Sequence, residues 1–429
     1  MRCLRLLVRG ENDQAEDAKY VLQDWILLIL GGGAAASVIG LWRWQAVAHV
    51  ARLRRIPIRV HVNGIRGKST ITRYVASALR AGGIETLAKT TGSDTRIIHP
   101  DGSETPIRRR GAPTILEQID VLRREHRLGL GALVFECMAL RPEYQRVSER
   151  RMIRATDGIV ANVRRDHVEQ LGTTLPEIAR SLAATAPAGA PLYTAETEPE
   201  LREILGDAAE ARGGWLVTVS GDDLSEAERQ GFSPLDFPEN IALALAVAQR
   251  HGVARDVALD GIRAAQDDPG ASKIHRHHLD GRTLLWIDLF GVNDVESAEM
   301  NIARISDWIG AEDTLVFVIN NRADRQDRSV QFAEMAARHA GSARIALVGE
   351  AVSALGRAIA ARRPDLSIAT PEIPEDAAPA KIAGRLGDGA AERLVLVGLA
   401  NIHTIDATRL IAALETPRSA WSPETERAA

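Results

Sequence analysis

Residues 61–70 read HVNGIRGKST and continue directly from the apolar run IRVHV at 58–62. A short apolar run that ends in a glycine turn reads as a buried strand. The residues from about Ser69 to Ala81 have the spacing of an amphipathic helix. Gly64 and Gly67 let the intervening backbone turn tightly, so that its N–H groups point inward as an anion cradle. The helix behind it adds roughly half a positive charge at its N-terminus. In such a loop Lys68 reaches the outer phosphates of a nucleotide and Ser69 offers a hydroxyl to Mg²⁺. Asn63, Gly64, Arg66, Gly67 and Thr70 complete the candidate nucleotide-binding set. The full phosphate-loop spacing asks for glycine where Val62 stands, and the shorter Gly-x-x-Gly-Lys-Ser form is met by residues 64–69. The bland alternative is a plain β–α turn with an exposed lysine, which the strand before and the helix after disfavour.

Working outward, GALVFE at 131–136, GIVANV at 158–163 and PLYTAE at 191–196 read as further strands separated by helical stretches. This alternation predicts an α/β fold with a mostly parallel sheet covered by helices. A cluster of Asp, Pro and Gly at 266–275 (QDDPGASKIH) marks a boundary, just after an apolar helix at 239–252. A second alternation follows, with RTLLWIDLF, TLVFVIN, RIALVGE and RLVLVGLAN as strands and PEIPEDAAPA at 371–380 as a loop. The reading is an N-terminal segment over 1–55, a central ATP-binding domain over 56–270 and a smaller C-terminal α/β domain over 271–429. Length suits this division, since 429 residues exceed one ordinary core. A net charge of -4 and only 4% aromatics give no footprint for a nucleic-acid partner. Two cysteines, Cys3 and Cys137, make neither a disulfide framework nor a four-cysteine zinc site. His275, His277 and His278 fall in a linker-like stretch without metal-ligand spacing.

The N-terminal segment has its own signal. Residues 25–42, WILLILGGGAAASVIGLW, carry no charge and predict a membrane-type helix over about 25–44. Trp25, Trp42 and Trp44 stand where interfacial aromatics sit, and Arg43, Arg52, Arg54 and Arg55 follow. The positive-inside rule then puts the bulk of the chain on the cytoplasmic side of the inner membrane. A buried or interfacial helix is the rival reading, because Gly31, Gly32 and Gly33 dilute the apolar run.

Beyond the loop, four elements recur in the order known from one superfamily. Gly64-Ile65-Arg66-Gly67-Lys68-Ser69 is similar to the Gly-Thr-x-Gly-Lys-Thr/Ser loop of Mur ligases and folylpolyglutamate synthases, with Ile65 in place of threonine. Glu136, ending LVFE, resembles that family's Mg²⁺-binding strand-end glutamate. Asn162-Val163-Arg164-Arg165-Asp166-His167 resembles its Asn…Asp-His turn, and Asn240 resembles an asparagine near the adenine. Longer stretches, among them AKTTG at 88–92, FECMAL at 135–140, NNRADRQDRS at 320–329 and VGLANIH at 397–403, are similar to the ligase subunit of bacterial poly-gamma-glutamate synthases.

The resemblance implies a Mur-ligase-like fold and an ATP- and Mg²⁺-dependent amide ligase. Such an enzyme activates a glutamate carboxylate as an acyl phosphate and joins it to the amine of another glutamate, making poly-gamma-glutamate. It implies Lys68, Glu136 and His167 as catalytic, and Ser69, Glu136 and His167 as metal ligands. Thr90, Thr91, Asp288, Asn293, Arg322, Arg325 and His403 become candidate substrate contacts, with Asp294, Asp324 and Asn401 beside them. The family's carbamoylated lysine falls on Leu182, and no lysine lies between Lys89 and Lys273, so a second metal held in that way is in doubt. Implied partners are glutamate, the growing polymer and membrane subunits of a synthase, with a homo-oligomer also open. Two alternatives stand: an ATP-hydrolysing assembly or export subunit, and a Mur-like ligase for another amino acid.

Overall fold

The computed structural model describes residues 2–415 apart from 92–94, 110, 126–128, 234, 269–271, 280, 293, 307–308, 311, 340–343 and 388–391. Its first sheet comprises β1 (Ile58–Asn63), β2 (Thr86–Lys89), β3 (Arg96–Ile98), β4 (Glu104–Pro106), β5 (Ala132–Glu136), β6 (Asp157–Val160), β7 (Pro191–Thr194) and β8 (Trp215–Thr218). The spatial order is β4-β3-β2-β5-β1-β6-β7-β8. Pairing is parallel from β2 through β8, and the β3–β4 edge is antiparallel. Val60, Val62 and Val134 are fully buried, as parallel strands covered on both faces require. One face packs on Ile71, Val75 and Leu79 of the helix Lys68–Ala81, backed by Pro238–Arg250 and Arg255–Arg263.

β1 lies between β5 and β6, yet the chain goes first to β2 and returns through β5 before reaching β6. Connections therefore leave β1 and its neighbours in opposite directions, and the carboxyl ends of β1, β5 and β6 frame a crevice. Open α/β sheets bind ligands at such a place.

The second sheet comprises β9 (Lys273–Leu279), β10 (Arg282–Asp288), β11 (Thr314–Asn321), β12 (Arg344–Gly349), β13 (Ile368–Ala369) and β14 (Arg393–Leu399). Its order is β13-β12-β11-β14-β10-β9, and only the β9–β10 pair is antiparallel. Two apolar clusters cover its faces, one around Phe317 and Phe332 and one around Trp286 and Phe290.

Three sequence expectations are corrected. The stretch holding the three histidines is strand β9, zipped to β10 with His277 opposite Leu284. His277 is buried and its Nε2 lies 2.8 Å from the Leu414 carbonyl, so the ring is spent on packing. The strand expected over 158–163 stops at Val160, because Asn162 turns back to the phosphate loop.

The third correction concerns the N-terminus. Instead of a separate helix over about 25–44, one continuous helix, α1, runs Arg2–Arg54. No proline precedes Pro57, and the residue before a proline is biased out of the helical region, which accounts for where α1 stops. Among the described residues no helix is long and apolar enough to cross a membrane. The far end of α1 is pinned to the central domain by Leu53, and by the His49 ring, 2.8 Å from the Met152 carbonyl. Its earlier apolar side chains, including Trp25, Leu28, Leu30, Ile39, Leu41, Trp42 and Trp44, are exposed.

Candidate active site

The phosphate loop leaves β1 and enters the helix Lys68–Ala81, here α2, through two glycines that no other residue replaces without strain. Gly64 has φ +128° and a Cβ there would come 2.9 Å from the Ala161 nitrogen. Gly67 has φ +79° and a Cβ would come 2.9 Å from Asn240 Oδ1. Asn240, on the helix Pro238–Arg250, is thus seated against the loop itself. Lys68 Nζ folds back and donates to the Gly64 and Ile65 carbonyls at 2.9 and 3.1 Å. Ile65 is buried against Val160 and Val163, so the side chain replacing the family's threonine anchors the loop by packing.

Glu136, at the end of β5, is 2% exposed. Its Oε2 accepts from Ser69 Oγ at 2.8 Å and from the Thr91 N–H at 2.6 Å. One carboxylate therefore joins the loop hydroxyl to the turn after β2. Thr90 is buried there, with its Oγ1 accepting from the Arg96 N–H at 3.2 Å. Thr70 is half-buried in the first turn of α2. Asn63, expected at the nucleotide, turns away: its Nδ2 donates to Gln145 Oε1 at 2.8 Å and Thr185 Oγ1 at 3.1 Å. Leu182 is buried in an apolar cluster, and no metal-binding group stands in its place.

Asn162 clamps the loop from β6. Its Oδ1 accepts from the Arg66 N–H at 3.0 Å and its Nδ2 donates to the Arg66 carbonyl at 3.1 Å. The Arg66 guanidinium reaches Asp166 Oδ2 at 3.1 Å and Asp294 Oδ2 at 2.6 Å. His167 follows in a left-handed conformation, φ +47°, with its side chain half exposed. A buried carboxylate that the sequence reading missed, Glu196, accepts from the Val163 N–H at 2.8 Å and the Thr197 N–H at 2.9 Å. It fixes the turn that carries Asp166 and His167; nothing local in ETEPE distinguishes it from a surface acid.

From the C-terminal domain the structure brings Asp294 to the loop, whereas Asn293 lies outside the described residues. Asp288 ends β10 but is buried, its Oδ1 accepting from the Phe290 N–H at 2.8 Å. Burial, with the Glu415 carboxylate nearby, pushes the Asp288 carboxyl up to about 7. Lys273 holds Glu415 at 3.0 Å. Arg322 pairs with Asp324 at 2.9 Å, and Arg325 stands 3.9 Å from the same carboxylate. Burial together with the positive charges of Arg325, Arg66 and Arg322 holds the Arg328 guanidinium below its usual range. Arg328 Nη1 donates to Asn401 Oδ1 at 3.3 Å. His403 is exposed after β14, while Asn401 and Asn320 exchange carboxamide bonds with each other's carbonyls.

The donor set fits a nucleotide-borne cation better than a protein-caged one. Among the described residues no group of three or more His, Cys, Asp or Glu could hold a metal ion. A hard divalent ion bound through one hydroxyl and one carboxylate takes its other ligands from phosphate oxygens and water, as Mg²⁺ does. Ser69 and Glu136 offer that pair.

The two α/β sheets share their fold with solved folylpolyglutamate synthases. E. coli FolC in complex with ADP superposes with a TM-score of 0.60 at 17% identity, over 90% of this chain and 93% of that one. The Yersinia pestis bifunctional folylpolyglutamate synthase/dihydrofolate synthase, complexed with AMPPNP and Mn ion, gives 0.62 at 17%, over 86% and 92%. Residues 274–417 match the family described as Poly-gamma-glutamate synthase CapB C-terminal domain. PGA synthase CapB of Bacillus subtilis is 34% identical over 337 residues, 78% of this chain and 84% of that protein. Capsule biosynthesis protein CapB of Bacillus anthracis is 36% identical over 292 residues, 68% of this chain, and the match spans 62% of that protein's length. The chain belongs to the CapB family of poly-gamma-glutamate synthases.

Proposed function

We propose that this chain is an ATP-dependent amide ligase that extends poly-gamma-glutamate. The observation that carries the reading is Glu136, held between Ser69 and Thr91 beside the Lys68 loop, whose Arg66 pairs with Asp294 of the C-terminal domain. A glutamate carboxylate oxygen attacks the γ-phosphorus of ATP and ADP leaves. The amine of the next glutamate then attacks the acyl carbon, phosphate departs and the amine loses a proton. Ser69 and Glu136 would hold Mg²⁺, which would supply neutralisation of phosphate charge.

The chain's own residues position and neutralise. Lys68 exchanges its loop carbonyls for β- and γ-phosphate oxygens. The backbone N–H groups of 67–69, at the α2 N-terminus, hold the phosphates, since those of Ile65 and Arg66 are taken by Asn162. His167, half exposed on its strained turn, is the candidate to orient the transferred group, and Thr90 and Thr91, beside Glu136, are candidate substrate contacts. Arg322 and Arg325 receive substrate carboxylates in bidentate fashion. Asp288 and His403 line the same domain's strand ends. A cation–carboxylate cleft closed by a second domain is the arrangement expected for phosphoryl transfer governed by positioning.

The test is phosphate release with ATP and Mg²⁺, with and without glutamate or a short γ-linked oligomer, alongside Lys68→Ala. Glutamate-dependent release with an amide product, absent from the variant, supports the reading. Release indifferent to every amino acid points to an ATP-driven assembly or export subunit instead.

The exposed apolar side chains of α1 support docking of the catalytic domains at the cytoplasmic face of the inner membrane, against lipid or membrane subunits of a synthase. Flotation with vesicles made from inner-membrane lipids checks this: full-length protein should float and a chain starting at residue 46 should not.

A further inference from the structure

Arg66 joins the two domains across the crevice. Its main chain is fixed at both its N–H and its carbonyl by the Asn162 carboxamide. From that rigid base, the guanidinium spans from Asp166 of the central domain to Asp294 of the C-terminal domain, at 3.1 and 2.6 Å. Neither carboxylate is idle. Asp166 Oδ1 accepts from the His167 N–H at 2.8 Å. Asp294 Oδ1 caps the helix Val295–Ile305 by accepting from the Ser297 N–H at 2.7 Å, leaving Oδ2 for Arg66. A single cation thus ties the phosphate loop, the turn carrying His167 and the leading end of a helix in the other domain. All three side chains are about 30% exposed, so the ties are reversible and open to salt.

We propose that Arg66 is a positioning residue that couples nucleotide binding to acceptor binding, through its ion pair with Asp294. A nucleotide seated against residues 67–69 reinforces the Asn162 clamp, and with it the base from which Arg66 projects. The pair then fixes the start of the helix Val295–Ile305, and with it the docking of the domain that carries Arg322, Arg325 and Arg328. By linkage, an acceptor held by that domain strengthens nucleotide binding by the same factor. Docking rather than chemistry is what Arg66 supplies. The inference rests on the ligase reading for the identity of the two ligands.

Asp294→Asn is the informative variant. Asparagine is as good a helix cap as aspartate, so the Ser297 contact survives while the charge facing Arg66 is lost. Calorimetric titration of AMPPNP with Mg²⁺, with and without saturating glutamate, gives the coupling factor. The wild-type protein should show a factor on the order of five or more, eroded by 0.5 M salt. Asp294→Asn should fall toward one with its melting midpoint unchanged, and Arg66→Lys should recover part of the factor that Arg66→Met loses. A variant with wild-type coupling overturns the proposal, as does a wild-type protein that binds both ligands independently. A wild-type protein that binds no nucleotide sinks the ligase reading as well, so the two failures are told apart.

Discussion

Gly67→Ala is the sharpest test of how the phosphate loop is held. The glycine sits at φ +79°, where a side-chain-bearing residue costs about 1–2 kcal/mol. The new Cβ would also stand 2.9 Å from Asn240 Oδ1 and 3.0 Å from its Nδ2. Asn240 is buried and cannot swing freely, so the overpacking adds about 1–3 kcal/mol. Gly83 separates the two costs, having φ +78° but no atom within 4 Å of its Cβ position. Gly83→Ala should therefore lose about 1–2 kcal/mol in urea unfolding and bind nucleotide normally. Gly67→Ala should carry about 2–5 kcal/mol in all, the sum of the two costs. An empty loop can remodel and shed part of it in the unfolding measurement, but a bound nucleotide demands the original path. Only the part shed by the empty loop counts against binding: if that part is about 2 kcal/mol, nucleotide binding weakens about 30-fold. Titration of AMPPNP with Mg²⁺ reads this directly. Equal behaviour of the two variants, with nucleotide affinity intact in both, would refute the close seating of Asn240 on the loop.

Other outcomes follow from the same geometry. Glu136→Gln keeps an acceptor for Ser69 and Thr91 but removes the charge, so turnover should fall on the order of 100-fold with the fold intact, by circular dichroism and steady-state kinetics. Lys89 is fully buried and pairs with Glu117 at 2.9 Å, while Glu117 also holds Arg109 at 2.7 Å. Glu117→Gln should cost about 3 kcal/mol by leaving a buried ammonium without its counter-charge, and Lys89→Met should cost less because Glu117 keeps Arg109; urea unfolding ranks them. Asp288, raised from 3.8 to about 7 by burial, holds its proton in the folded protein after losing it in the unfolded chain. Its contribution to stability is therefore present below about pH 4 and is lost as pH rises toward about 7, and Asp288→Asn should flatten that part of the stability–pH curve.

The loop was legible because it is contiguous: Gly64, Gly67, Lys68 and Ser69 fall within one short turn of chain, bounded by a strand and a helix. Glu136 was legible because it ends a strand whose apolar run is unmistakable. The partners of Arg66 were not, since Asp166 and Asp294 lie far along the chain and meet it only through the packing of two domains. Asn63 misled by position: it adjoins the loop, but strand alternation turns its side chain to the opposite face, where Gln145 and Thr185 take it. β9 hid because KIHRHHL lacks an apolar period and becomes a strand by pairing with β10. The β3–β4 hairpin is three residues a side, too short to stand out from its turn.

Leu182 has a physiological corollary. The carbamoylated lysine that the Mur-ligase resemblance implies at this position would exist only while dissolved carbon dioxide keeps the amine converted to its carbamate. Here a leucine occupies the position and is sealed among Ile178, Val160 and Leu205. Metal loading in this protein should then be independent of the supply of inorganic carbon, and turnover in degassed buffer should match turnover under bicarbonate.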